Sequence, residues 1–133
     1  MEDLNADFSR ETEYQGAGAV YANNIRFEQS VWDLRLLFGQ LMSNEPPNSP
    51  EVDWHTDVTI PWAQAKLMHL YLGVNLAVFE AQNGNINIPE AVLPPPMTIP
   101  PADTDPNNPQ AMATFQIVQR LVNGFREAEA RKR

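Results

Sequence analysis

The chain contains no cysteine. Disulfide staples, zinc–thiolate sites and thiol nucleophiles are therefore excluded. Long apolar runs are missing too. The most apolar stretch, residues 67–79, is shorter than the roughly 18 residues of a membrane span and is broken by His69 and Asn75. Basic residues are scarce: 9 Lys and Arg stand against 17 Asp and Glu, for a net charge of −8. That balance repels a nucleic-acid backbone, so no nucleic-acid partner is expected. The one basic cluster, Arg131-Lys132-Arg133, stands where cations complement the dipole of a helix C-terminus, and is read that way. Residues 1–15 are acidic, with neither a basic n-region nor an apolar h-region. No secretory leader is expected, and the protein is read as cytoplasmic. Neither GxSxG nor HExxH occurs, and Gly16 and Gly18 precede a strand pattern rather than a helix, so the dinucleotide fingerprint is absent. The expectation is a protein that is not an enzyme and that takes no cofactor and no metal.

What is present is a chain of 133 residues with 43% hydrophobic content, enough for one modest core and too apolar for a disordered segment. Residues 1–18 are polar and end in Gly16-Ala17-Gly18, which suggests a mobile acidic arm. Residues 19–88 read as an α+β core. Tyr21, Asn23, Ile25 and Phe27 alternate with Ala22, Asn24, Arg26 and Glu28, the period of a half-buried strand. After a weak turn at Gln29-Ser30-Val31, Leu34, Leu36 and Phe38 point to one face. Asp33, Arg35 and Leu37 point to the other, with Leu37 the exception to a polar side. Gly39 marks a bulge or a close backbone approach. Residues 44–50 are a loop by composition. In a third strand Val52, Trp54, Thr56, Val58 and Ile60 are expected inward, and Asp53, His55, Asp57 and Thr59 outward.

Pro61 suits a helix start, and a helix over residues 62–83 follows, ended by Gly84 in the left-handed C′ conformation. This helix is unusual. A surface helix shows one apolar stripe of about 100°, whereas here Leu67, Leu70, Leu72, Val74, Leu76, Val78 and Phe79 leave only a thin polar line. Such a helix is made to be buried on two sides. Ile86 and Ile88 suggest a short extended segment returning toward the sheet. Residues 89–108 form a Pro-rich spacer: Pro94-Pro95-Pro96 and Pro100-Pro101 favour polyproline II, an extended form without internal hydrogen bonds. Asn108 is a good N-cap with Pro109 at N1. Residues 109–133 then form an amphipathic helix, whose Met112, Phe115, Val118, Leu121, Val122 and Phe125 fall at spacings of three and four.

Two constellations invite chemistry. Asp53, His55 and Asp57 share a strand face, but successive same-face side chains stand about 6.6 Å apart and diverge, so a solvated face is preferred to a metal site. Lys66, His69, Gly73 and Glu80 line one face of the long helix. Lys66 there suits a partner carboxylate, and Gly73 a close approach by another backbone. A catalytic set would need a pocket that the sequence does not supply, so a solvent or interface stripe is preferred.

Certain short motifs carry a family resemblance. Tyr21-Ala22-Asn23, Asp33-Leu34-Arg35-Leu36-Leu37-Phe38-Gly39, Pro61 with Ala65-Lys66-Leu67, Asn75-Leu76 with Phe79-Glu80, and Asn83-Gly84-Asn85-Ile86 resemble, in order and spacing, the prokaryotic domain-of-unknown-function family 3467. The resemblance covers about residues 20–88. It implies strands followed by a helix, a layout similar to that of SecB-like chaperone subunits, and it carries no assigned activity.

The architecture expected is thus an antiparallel three-stranded meander, one long helix across it, a Pro-rich spacer and a second, C-terminal helix. The function expected is a non-enzymatic homo-oligomeric binding module, chaperone-like or an adaptor. The alternative is a structural subunit of a larger assembly with an exchanged C-terminal arm. Met68, Leu72, Phe79, Phe115, Val122 and Phe125 are the expected interface residues.

Overall fold

A computed structural model describes residues 19–42 and 51–132. The expected arm at 1–18, the loop at 44–50 and Arg133 lie outside the described residues. Three strands form one antiparallel sheet in the order β1 (Asn24–Gln29), β2 (Asp33–Leu41), β3 (Val52–Pro61). Helix α1 spans Trp62–Asn83, and helix α2 spans Pro109–Arg131. The chain divides into two compact units, Met1–Leu70 and Tyr71–Arg133. The boundary between these units falls inside α1.

In the first unit, Ser30 makes the β1–β2 turn. Its hydroxyl accepts from the backbone N–H groups of Trp32 and Asp33, both at 3.1 Å, and its carbonyl accepts from Trp62 Nε1 at 2.9 Å. One serine thereby fixes the hairpin and the start of α1. Pro61 pairs with Asp33 as the last residue of β3, so the helix opens at Trp62 rather than at the proline.

The register sets the faces, because cross-strand partners share a side. Phe27, Leu36 and Val58 are aligned across the three strands, as are Arg26, Leu37 and Asp57. Leu36 and Leu37 are both buried although they point to opposite faces. The pairing shifts between Phe38 and Gly39: Phe38 faces Thr56 while Gly39 faces Trp54, which leaves His55 as the extra residue of a β-bulge. A bulge reverses the alternation beyond it. Val52 and Trp54 therefore stand on the face of Arg26 and Leu37, not with Val58 and Ile60 as strict alternation requires. Gly39 is what permits this. A Cβ there would lie 2.6 Å from Val52 Cγ1 and 2.8 Å from Trp54 Cε3. Both expectations for Gly39, bulge and close approach, hold at this one residue.

In the second unit, α1 ends as expected: Gly84 adopts φ 88° and its N–H donates to Glu80 O at 2.9 Å. Residues 84–89 form no strand. Ile86 N instead donates to Glu80 Oε2 at 3.0 Å, so the polar side chain of the helix claims the segment before it can extend. At α2, the Asn108 side chain accepts from Gln110 N and Ala111 N, an N-cap with Pro109 at N1.

The Pro-rich segment runs back along α2 instead of hanging free. Proline removes N–H donors but leaves its carbonyls needing partners, and one face of α2 supplies them. Gln119 Nε2 and Asn123 Nδ2 both donate to Met97 O at 3.0 Å, and Met97 N donates to Asn123 Oδ1 at 3.0 Å. Arg126 donates to Pro94 O at 2.7 Å and pairs with Glu90 Oε1 at 2.6 Å. Leu93, just after a 3-10 turn at Glu90–Val92, and Phe115 of α2 are the buried apolar residues of this unit.

Candidate assembly surface

Helix α1 has no buried residue along its length of 22. Its apolar side chains point all round, and the described residues do not cover them. Leu67, Leu70, Tyr71, Val74, Leu76 and Val78 are each about half exposed, and Leu72 and Phe79 are 55% and 50% exposed. Leu72, Leu76, Val78, Phe79 and Ile86 line an apolar groove of about 640 Å³. Its polar lining is Asn75 and Gln82, and Asn75 Nδ2 is already donating to Tyr71 O within the helix. An apolar groove without a charged or titratable group in its lining suits packing rather than catalysis.

The expected interface residues divide between two fates. Leu72 and Phe79 meet in the α1 groove. Met68, on the same side of α1, is half-buried. Phe115, in contrast, is only 9% exposed and is buried in its own unit, on the face of α2 that carries the Pro-rich strap. It is a core residue and is withdrawn from the surface. Val122 is half-buried, and Phe125 is exposed. Sequence periodicity alone did not separate Phe115 from Phe125, because both belong to one apolar stripe. The separating signal is polar: Gln119, Asn123 and Arg126 share the side of Phe115 and bind the strap. On the other flank of α2, Ile117 and Leu121 join Phe125 as an uncovered stripe. Within the second unit, the end of α1 and the end of α2 are linked. They meet near their C-termini, where Asn85 Nδ2 donates to Lys132 O at 3.4 Å and Lys132 Nζ lies 3.7 Å from Glu80 Oε1.

A second cleft, of about 680 Å³, lies at the start of α2 between Met97, Asp103, Asp105, Asn108 and Phe115. Two of its polar groups are committed to local structure: Asp105 Oδ1 accepts from Asn107 N, and Asn108 caps the helix. On the sheet, the Arg35 guanidinium binds Asp57 at 2.6–2.9 Å and Glu28 at 2.8 Å. These bonds hold both carboxyls below the ordinary carboxylate range, and they raise the Arg35 pKa further, Asp57 contributing most. Arg26 stacks over Trp54, 5.4 Å from the ring centroid. This charged lattice tiles the face above Leu37, which explains an apolar residue on a polar side.

His55 is not grouped with Asp53 and Asp57. From the bulge its Nε2 donates to Tyr21 O at 2.9 Å, and its Nδ1 lies 2.7 Å from Thr56 Oγ1. Both ring nitrogens are occupied, and Nε2 ties down the chain ahead of β1. Among the described residues no three His, Asp or Glu side chains gather at metal-ligand spacing. Among them, too, no helix is long and apolar enough to cross a membrane.

Comparison with known proteins adds one finding. The family model described as "Protein of unknown function (DUF3467)" matches residues 2–88. The chain belongs to that family. No curated protein and no solved structure matches it.

Proposed function

We propose that this DUF3467 protein is a non-enzymatic, cytoplasmic binding module that works as a homo-oligomer, chaperone-like or adaptor-like in kind, with α1 at the subunit interface. One observation carries the reading: eight large apolar side chains of a single helix stand about half exposed. Exposed apolar residues clustered on one helix, rather than scattered singly, mark an interaction surface. The burial of such area is the main favourable term in association. Sedimentation velocity at micromolar concentration tests the reading. A dimer or larger species is expected, and a monomer contradicts it. A hydrophobic dye that binds the assembled protein would mark a groove left open for a client.

The alternative, a structural subunit of a larger assembly, draws on the uncovered stripe of Ile117, Leu121 and Phe125 on α2. Leu121→Glu separates the two. It leaves assembly size unchanged when α1 alone holds the oligomer, and lowers it when α2 docks on a neighbour.

A further inference from the structure

We infer that the triproline Pro94-Pro95-Pro96, with Ile99, is a docking ridge for a partner domain whose groove is lined by aromatic side chains and rimmed by basic ones. This surface rests on the binding-module part of the proposed function and is independent of how α1 is covered. All of it lies in the second unit. Proline holds its own φ near about −65° and pushes the residue before it to extended ψ, so residues 93–96 are confined to one extended form. Leu93 sits at φ −65° and ψ 139°, the polyproline II values. That helix has three residues per turn, so Pro94 and Met97 share a face. It is the face that α2 holds: Arg126 donates to Pro94 O, and Gln119 and Asn123 donate to Met97 O. Pro95 and Pro96 take the other two faces. Both are exposed, and their carbonyls accept no hydrogen bond among the described residues.

Three features select the partner. A spacer needs reach, whereas this segment is folded back on α2 and pinned at Pro94 and at Met97. A ligand already held in polyproline II loses little freedom on docking. The surface on offer is proline rings, free carbonyls and Ile99, which is 77% exposed three residues beyond Pro96. An aromatic-lined groove suits such a ridge: its ring faces pack on the prolines, and a Trp N–H or Tyr O–H donates to the carbonyls. Charge selects the rim. Residues 93–109 contain no Lys or Arg and carry Asp103 and Asp105. Arg126, which holds the ridge from behind, is itself paired with Glu90. A basic rim is attracted to this segment and an acidic rim is repelled.

An isolated WW domain and an isolated EVH1 domain serve as probes, each titrated into the isotope-labelled full chain and followed by NMR. Saturable shift changes at Met97, Thr98 and Ile99 are expected with at least one probe. Replacing Pro95 and Pro96 together by Ala should weaken that binding about tenfold or more. No shift with either probe, or undiminished binding by the double variant, overturns the inference. Circular dichroism checks that the variant keeps wild-type helicity. Asn123→Ala gives an independent check, because it removes bonds to both Met97 N and Met97 O while leaving the prolines in place. It should weaken binding about threefold, since the loosened ridge must then be ordered on docking. Equal or tighter binding by this variant overturns display of the ridge by α2. Sedimentation of the same samples reads self-association separately. A monomer that binds a probe leaves this surface standing, and an oligomer that binds neither probe overturns this surface alone.

Discussion

The two long helices are of almost equal length, 22 and 23 residues, and have opposite fates. α2 has an Asn108 cap, a basic residue in its last turn, and a face clothed by its own Pro-rich strap through Gln119, Asn123 and Arg126. α1 has no acidic residue in its first turn, no basic residue in its last turn and no buried residue. A helix whose apolar residues keep to one side can be satisfied by one neighbouring segment. A helix that is apolar all round cannot, and the described residues, with four buried apolar side chains among them, leave α1 uncovered. The contrast sets one helix clothed on one face by its own chain against one for which the proposed cover is another copy.

Substitutions sharpen that contrast. The largest effect is expected for Leu72→Glu, which leaves an unpaired charge in the proposed interface at a cost of about 3–5 kcal/mol. Light scattering should then find monomers or insoluble protein. Phe115→Ala, by comparison, should cost about 3 kcal/mol in the thermal unfolding of a protein whose assembly mass is unchanged, because its cavity opens inside one chain. A Phe115→Ala variant that dissociates while staying folded breaks the distinction between the two helices.

Gly39→Ala tests a site on neither helix. The new methyl collides with Val52, the Asp53 carbonyl and Trp54, and should destabilise the sheet by about 2 kcal/mol in denaturant unfolding. Asn108→Ala removes the α2 cap and should cost about 1 kcal/mol, read from the melting temperature. The smallest effect belongs to the Arg35 lattice. Asp57 and Glu28 titrate lower in the folded chain than in the unfolded one. Their contribution is therefore full above the ordinary carboxylate range, about pH 4, and is lost as the pH falls below it through their lower folded-state values. Arg35→Gln should flatten this acid limb of the stability profile slightly. An unaltered limb means that the bonds contribute nothing measurable, as many exposed ion pairs do.

Much of the fold was legible because local rules sufficed. Period-two alternation placed β1 and β2, the span of α1 follows from Gly84 and the apolar run, and Asn108-Pro109 announced α2. The face of Val52 and Trp54 was not legible. Alternation has no symbol for a bulge, and the decisive contact, Gly39 against β3, joins residues far apart in sequence. The strap was missed for a similar reason. Pro-rich composition signals extension but not what the carbonyls will bind, and Gln119, Asn123 and Arg126 read as ordinary surface residues until Met97 and Pro94 are opposite them. At the candidate surface, Leu72 and Phe79 could be named from pattern, whereas Phe115 could not be told from Phe125.

The central claim is that α1 is covered by a second copy. Analytical ultracentrifugation of the full chain across a concentration series measures this directly. The account predicts a dimer or larger species that persists at micromolar concentration and is lost in Leu72→Glu. A wild-type chain that sediments as a monomer throughout, with helicity intact, would contradict it.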